Sequence, residues 1–192
     1  MADSGKELAD RQPDKPVSIL FVCLGNICRS PMAEGTFRQL THFGTPQQHP
    51  LISRIDSCGT GAYHAGDLSD SRTMAVLKKN GITDYRHPAR KVTTEDFQEY
   101  DYILGMDDEN VDDLRDLVKR AAKKGKLSGD EVHKVNLYGV FGGEDCTEEI
   151  GDPYYGGGKG FDTAYEQVTR FGKALLEHIE LVAAKGLGSS VP

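Results

Sequence analysis

The stretch VCLGNICRSP, residues 22–31, joins a short apolar run to a proline, and it decides how the chain folds. The run VSILFV, residues 17–22, is β-branched and aromatic, as expected of a strand buried on both faces of a parallel sheet. Pro31 suits the first turn of a helix, and Ser30 is predicted to be its N-cap. The residues between are therefore predicted to connect a first strand to a first helix.

The rest of the chain repeats this alternation of short apolar runs and longer helical patterns, which is typical of βαβ units. Further strands are predicted at residues 51–57, 101–106 and 132–137. Further helices are predicted from about residue 67 up to Gly81, from residue 111 up to Gly125, and from about residue 162. The sequence therefore predicts an α/β fold with a four-stranded parallel sheet flanked by helices.

Length and composition predict one domain in a reducing compartment. A chain of 192 residues suits a single domain, here residues 17–184, with a polar, flexible extension at residues 1–16 and a mobile tail at residues 185–192. Four unevenly spaced cysteines favour free thiols over a disulfide framework. Neither a signal peptide nor a run of ~18 apolar residues is found. We therefore expect a soluble, cytoplasmic protein.

The overall charge excludes two classes of partner. A formal net charge of −7 argues against a nucleic acid or an anionic membrane surface as the binding partner.

Residues 23–30 have the composition of an anion-binding loop. They lie at the carboxyl end of the first predicted strand, where open α/β sheets bind ligands. Gly25 and Asn26 tolerate positive φ angles, so successive amides can converge on one point, and the Arg29 guanidinium matches two phosphate oxygens. The predicted phosphate contacts are Leu24, Gly25, Asn26, Ile27, Cys28, Arg29 and Ser30.

Cys23 lies at the base of this predicted loop. A helix N-terminus, inward-facing amides and an arginine favour the ionised form of a thiol, so Cys23 is predicted to be a nucleophile that attacks bound phosphate in line. The amides and Arg29 neutralise the phosphate oxygens, so we expect neither a metal ion nor another cofactor. The alternative is that Cys23 and Cys28 are merely buried apolar side chains in a turn.

The spacing of these residues resembles a known family. A cysteine, five residues and Arg-Ser, between a buried strand and a helix that begins with proline, resemble the phosphate-binding loop of cysteine-dependent phosphatases. The longer string CLGNICRSPMAE, residues 23–34, resembles the low-molecular-weight protein tyrosine phosphatases over nearly the whole core. This resemblance implies a three-layer, flavodoxin-like fold, with Cys23 as nucleophile and Arg29 as phosphate-binding residue. It also implies that Asp152, in an Asp-Pro-Tyr segment, is the general acid and base.

The resemblance implies further roles around the loop. A polar network is expected to link Asn26 to Ser30, Ser57 and His87. The expected walls of the substrate pocket are Ile27, Tyr63, Tyr154 and Tyr155. Cys28 is predicted to trap an oxidised Cys23 as a disulfide before irreversible oxidation. Glycines at residues 156–160 give the acid loop unusual freedom, so the placement of Asp152 can depend on closure over substrate.

We therefore predict metal-independent hydrolysis of phosphotyrosine in proteins, and of small aryl phosphates, with inorganic phosphate or similar oxyanions also binding the loop. Three alternatives stay open. A phosphoarginine phosphatase is disfavoured because its similar bacterial members carry threonine at the position of Ile27. An arsenate reductase is disfavoured because neither Cys58 nor Cys146 has a nearby cysteine partner. A non-catalytic phosphotyrosine-binding module is disfavoured because nucleophile, arginine and acid are all present.

Overall fold

A computed structural model of the chain describes residues 15–61, 63–155 and 158–187. Four parallel strands pair side by side in one sheet, in the order β2-β1-β3-β4. The strands are β1 Val17–Cys23, β2 Ile52–Gly59, β3 Tyr102–Gly105 and β4 Val135–Leu137. The predicted flavodoxin-like α/β fold with a four-stranded parallel sheet is confirmed.

Helices cover both faces of this sheet. They are α1 Arg29–Leu40, α2 Ser71–Lys79, α3 Asp96–Glu99, α4 Asp108–Lys123 and α5 Gly158–Leu187. Helices α1, α2 and α5 share one apolar core with the sheet, and α3 and α4 share the other. Within residues 15–61, 63–155 and 158–187, no helix is both long and apolar enough to cross a membrane.

Strand β1 lies in the middle of the three layers. Ile19 and Phe21 point into the core under α1 and α5, whereas Leu20 and Val22 point into the core under α4. All four side chains are 0% exposed. This burial on both faces explains why the sequence of β1 is an unbroken apolar run, and it fixes the strand end that carries Cys23.

The predicted N-cap of the first helix is wrong. Helix α1 begins at Arg29, so Ser30 lies inside its first turn, and Cys28 occupies the N-cap position without a side-chain cap. The hydroxyl of Ser30 faces Cys23 and Asn26 instead of a helix amide. A serine before a proline looks like a cap in sequence, but here the loop uses its hydroxyl.

The second helix begins later than predicted, and a short helix was not predicted at all. Helix α2 starts at Ser71 rather than near residue 67, because Asp70 is the N-cap and accepts a hydrogen bond from the Arg72 amide at 2.8 Å. The four residues of α3 make about one turn, too short for a 3.6-residue period to be recognised in sequence. Gly81 and Gly125 follow α2 and α4 with φ angles of 83° and 67°, as expected of helix ends.

Two boundaries near the end of the chain also differ. Residues 130–134 form a 3₁₀ turn, so β4 is shorter than the predicted strand. Helix α5 begins at Gly158 and runs to Leu187, so residues 185–187 of the predicted tail are helical. Residues 188–192 of that tail, and residues 1–14 of the predicted extension, lie outside the described residues.

Replacing Phe21 with alanine should destabilise the fold. The Phe21 ring packs against Phe37 at a centroid distance of 5.7 Å and against Tyr138 at 5.0 Å. We expect Phe21→Ala to lower the free energy of unfolding by about 3–5 kcal/mol in denaturant titrations, because it leaves a cavity between β1 and α1. Leu181→Ala is the control: Leu181 is 54% exposed, so its loss should cost less than about 0.5 kcal/mol. Equal losses of unfolding free energy in Phe21→Ala and Leu181→Ala would contradict the placement of Phe21 in the core.

Candidate active site

The loop after β1 is held in place by the end of the neighbouring strand. The amide of Thr60 donates to the Cys23 carbonyl, and the amide of Gly61 donates to the Leu24 carbonyl, each at 2.9 Å. A Cβ at Gly59 would lie 2.6 Å from the Leu24 oxygen, so only glycine permits this approach. The loop therefore leaves the sheet along a path that β2 determines.

The Cys23 thiol lies at the bottom of the loop and is surrounded by polar hydrogens. The backbone amide of Asn26 donates to Cys23 Sγ at 3.3 Å, and Ser30 Oγ lies 3.1 Å from the same sulfur. Cys23 is 3% exposed. A negatively charged sulfur here would accept hydrogen bonds from the loop on one side, and its other side faces the open pocket.

Arg29 is buried but charged, because acidic groups surround it. One of its nitrogens donates to the carboxylate of Asp107 and, at 3.0 Å, to the carbonyl of Ile150. Its other terminal nitrogen lies 3.9 Å from Asp152 Oδ2. Burial opposes the charge, but Cys23, Asp107 and Asp152 outweigh it and raise the pKa of Arg29. The guanidinium is therefore fixed in orientation beside the loop.

Asn26 connects the loop to the rest of the molecule. Its side-chain nitrogen donates to Ser30 Oγ and Ser57 Oγ, each at 3.0 Å. Its side-chain oxygen is 2.9 Å from His87 Nε2 and accepts from the Arg90 amide at 2.8 Å. Its backbone has φ 56°, a left-handed conformation that asparagine tolerates better than most residues. These four contacts hold the Asn26 side chain in place and so support the left-handed turn of its backbone.

A second layer of buried polar groups lies under Asn26. Ser57 Oγ and Tyr85 OH each donate to Glu34 Oε2 at 2.8 Å, and His87 Nδ1 lies 3.4 Å from the same oxygen. Burial raises the pKa of Glu34, against the opposing effect of His87 and these two hydrogen bonds. Glu34, Asp56 and His87 also bring one potential metal-ligand atom each within 4.8 Å of one another. Because these atoms already contact protein partners, we assign the group to supporting the loop.

The loop lines a pocket of about 270 Å³ that is open to the surface. Its lining residues are Cys23, Leu24, Gly25, Ile27, Cys28, Arg29, Tyr63, His64, Asp152 and Tyr154. Two of the predicted wall residues, Tyr63 and Tyr154, are 80% and 43% exposed, as expected of rings at a pocket mouth. The side chain of Tyr155, also predicted as a wall, lies outside the described residues.

Asp152 enters this pocket from the far end of the chain. Its Oδ1 atom accepts a hydrogen bond from the Tyr154 amide at 3.0 Å, and its Oδ2 atom points toward Arg29. The side chain is 38% exposed, so substrate and water can both reach it. The structure therefore brings Cys23, Arg29 and Asp152 to one pocket.

Two further buried cysteines, Cys28 and Cys58, lie near Cys23. Burial and the charges of Asp70, Cys23 and Asp152 raise the pKa of Cys28 to about 12. Cys28 is therefore a neutral thiol at neutral pH. Cys58, in β2, is fully buried, and its carbonyl faces the Ser30 hydroxyl at 3.3 Å.

Sequence reasoning missed several residues of the site. Asp107, which holds Arg29, also caps α4 by accepting from the Asn110 amide at 2.7 Å. An aspartate directly after a buried strand and before a helix is a recognisable cap, and its position at the carboxyl edge of the sheet was the available signal. His64 carried no such signal, and Glu34, although it ends the string quoted for the resemblance, has partners in Ser57 and Tyr85 that no local pattern indicates.

Comparisons with known proteins agree with this arrangement. The family profile described as "Low molecular weight phosphotyrosine protein phosphatase" matches residues 18–185. A Schizosaccharomyces pombe protein of that name is 43% identical over 165 residues, which are 86% of this chain and 98% of the relative.

The chain is also similar to solved structures that are described as phosphatases. A protein tyrosine phosphatase from Entamoeba histolytica, with Hepes in its active site, has a TM-score of 0.72 and 34% identity, covering 86% of this chain and 97% of its own. A structure described as a Drosophila arginine phosphatase has a TM-score of 0.69 and 31% identity, covering 83% of this chain and 96% of its own. Both similarities therefore cover most of the chain rather than the loop alone.

Two variants of Asn26 test whether its side-chain hydrogen bonds, rather than its backbone conformation alone, hold the loop in shape. Asn26→Ala loses the four contacts and also places an alanine at φ 56°, whereas Asn26→Gly loses the contacts without that strain. We expect both variants to bind inorganic phosphate at least about tenfold more weakly in calorimetric titration, which corresponds to about 1.4 kcal/mol. Native affinity in Asn26→Gly would mean that the loop keeps its shape without the network.

Proposed function

This chain belongs to the low molecular weight phosphotyrosine protein phosphatase family, and we propose that it hydrolyses phosphotyrosine in proteins with Cys23 as nucleophile and Asp152 as general acid. The chain is a hydrolase, and its pocket is suited to an oxyanion. The observation that carries the assignment is that Asp152, far along the chain, lies at the same pocket as the thiol of Cys23 and the buried Arg29 of the loop after β1. The carboxyl of Asp152 lies 3.9 Å from the Arg29 guanidinium.

In the first step, Cys23 Sγ attacks phosphorus in line with the bond to the tyrosine oxygen. The S–P bond forms as the P–O bond breaks, and the departing oxygen takes a proton from the carboxyl group of Asp152. The loop amides and Arg29 bind the equatorial phosphate oxygens, where charge accumulates, so the proposal needs no metal ion. The products are a cysteinyl phosphate on the enzyme and an unphosphorylated tyrosine side chain on the substrate protein.

In the second step, water hydrolyses the cysteinyl phosphate. Asp152, now a carboxylate, takes a proton from the attacking water, and the S–P bond breaks to release inorganic phosphate. The Ser30 hydroxyl, 3.1 Å from Cys23 Sγ, donates to the departing thiolate and stabilises it. Because the nucleophile must stay a free thiol between turnovers, we propose a reducing compartment, the cytoplasm.

Phosphotyrosine is the favoured substrate because the pocket mouth is aromatic. Tyr63 and Tyr154 line the opening above Ile27, so an aryl ring can stack while its phosphate reaches the loop. Phosphoarginine is the second candidate, because a structural relative is described as an arginine phosphatase. Its planar guanidinium can also lie between tyrosine rings, so the two substrates must be compared directly.

Peptide hydrolysis tests this assignment. With matched phosphotyrosine, phosphoserine and phosphoarginine peptides in EDTA, we expect cleavage of phosphotyrosine, none by Cys23→Ser, and a loss of about 10²–10⁴-fold in turnover for Asp152→Asn. Asp116→Asn is the matched control, because Asp116 lies on the surface of α4 and pairs with Lys119. Faster cleavage of phosphoarginine would favour the second candidate. Binding of phosphotyrosine without turnover would mean a non-catalytic module.

We also propose that Cys28 protects the nucleophile from oxidation. Hydrogen peroxide would convert the Cys23 thiol to a sulfenic acid with release of water. The Cys28 thiol would then attack that sulfur, forming the disulfide and releasing a second water. The charge of Cys23 is one cause of the high pKa of Cys28, so oxidation of Cys23 removes part of that cause and favours the attacking thiolate.

Recovery after oxidation tests the role of Cys28. After hydrogen peroxide and then dithiothreitol, we expect the native enzyme to regain most of its activity and Cys28→Ser to regain little, because its sulfenic acid oxidises further. Because the pKa of Cys28 is about 12, disulfide formation should accelerate as the pH rises from 7 to 9. Cys58→Ser is the control with a buried thiol outside the pocket. Equal recovery in Cys28→Ser would contradict the proposal.

A further inference from the structure

The guanidinium of Arg72 connects the phosphate loop to the segment that carries Asp152. Arg72 lies in the first turn of α2, outside the loop, and its side chain is 42% exposed. On one side it forms a bidentate ion pair with Asp70, in which Nε donates to Oδ1 at 3.0 Å and Nη2 donates to Oδ2 at 2.8 Å. On the other side its third nitrogen donates to the Tyr154 carbonyl at 3.1 Å.

The Asp70 side of this contact is fixed relative to the nucleophile. The backbone amide of Asp70 donates to the Ile27 carbonyl at 2.8 Å, and the Thr73 hydroxyl donates to the Cys28 carbonyl at 3.3 Å. The start of α2 is therefore attached to the outside of the phosphate loop. The hydrogen bonds from Arg72 lower the pKa of Asp70, so this anchor stays charged at neutral pH.

The Tyr154 side of this contact leads directly to the acid. Arg72 holds the Tyr154 carbonyl, and the Tyr154 amide holds the Asp152 carboxylate at 3.0 Å. The guanidinium also lies over the Tyr154 ring, 4.9 Å from its centroid. Arg72 thus fixes both the backbone and the ring of the residue that orients Asp152.

The same guanidinium reaches α5. It lies over the Phe161 ring, 4.6 Å from the centroid, so it contacts both the segment that carries Asp152 and helix α5. Residues 156–160, which precede Phe161 in sequence and include the start of α5, read GGGKG, a sequence whose glycines restrict the backbone little. A planar group with five donors can stack on rings and bond on both edges, which a lysine ammonium cannot do.

We propose that Arg72 is a positioning residue that holds the 152–154 segment against the phosphate loop, so that Asp152 faces the departing oxygen of the substrate. The inference rests on the proposed function, since it requires Asp152 to be the general acid. The Arg72 side chain acts through Tyr154 rather than on the reacting atoms. Removing it should therefore impair proton donation while phosphate binding by the loop stays intact.

The dependence of rate on the leaving group tests this role. A poor leaving group such as phenolate, whose pKa is ~10, needs the acid, whereas 2,4-dinitrophenolate does not. We expect Arg72→Met to lower kcat/KM for phenyl phosphate by about ten- to hundredfold and for 2,4-dinitrophenyl phosphate by less than about threefold. The inhibition constant of inorganic phosphate should stay within about twofold. Equal losses on both substrates would overturn the proposal.

A double variant shows whether Arg72 acts through Asp152. Adding Arg72→Met to Asp152→Asn should cost less than about twofold beyond Asp152→Asn alone, because the acid is already absent. A full additional loss would overturn the proposal. If the single variant Asp152→Asn keeps the native dependence on the leaving group, the general-acid role in the proposed function is wrong. If Asp152→Asn loses this dependence but Arg72→Met keeps it, the proposed function stands and the role of Arg72 is wrong.

Two further variants guard against a general loss of structure. Arg54→Met is the matched control, because Arg54 lies over the Tyr100 ring at 4.7 Å and pairs with Glu99 far from the pocket. It should leave the dependence on the leaving group unchanged. Asp70→Asn keeps a good helix cap but removes the charge that anchors Arg72, so it should reproduce part of the Arg72→Met defect. A native leaving-group profile in Asp70→Asn, or the Arg72→Met defect in Arg54→Met, would overturn the proposal.

Discussion

The active site depends on one constraint, which is that Asn26 must hold a left-handed turn inside a buried polar network. The turn directs the Asn26 amide at Cys23 Sγ, and the side chain bonds to Ser30, Ser57 and the 87–90 segment. Buried hydrogen bonds of this kind stabilise a unique conformation only when every group is satisfied, because an unpaired buried polar atom costs more than a bond contributes. The shape of the loop therefore depends on the correct folding of the segments that supply its hydrogen-bond partners.

The sheet supplies the partners for this network. Parallel strands bring their carboxyl ends to one edge, so the end of β1 carries Cys23, the end of β2 carries Ser57, and the residue after β3 and Met106 is Asp107. The Arg29 guanidinium is buried among these groups, where its charge is balanced by carboxylates rather than by water. A phosphate entering the pocket meets a positive group that is already oriented, so little reorganisation is needed on binding.

Local patterns in the sequence were sufficient for the sheet, for β1 and for the presence of a loop between β1 and α1. They were insufficient where a contact joins distant segments. Nothing near Arg72 in the sequence indicates Tyr154, and nothing near Glu34 indicates Tyr85. The Ser30 cap was mispredicted for the same reason, since its hydroxyl faces Cys23 rather than its own helix. Such pairings follow from tertiary packing, which overrides local preference.

The order of the functional groups along the chain has a consequence for biosynthesis. The nucleophile loop follows the first strand, whereas Asp152 precedes the final helix, and α5 packs in the same core as α1. A growing chain on the ribosome thus exposes Cys23 long before Asp152 has been made and can join the same pocket. The pocket that holds Cys23 and Asp152 is complete only when the chain has been made through α5 and that helix has packed against α1, so activity reports that this packing has taken place.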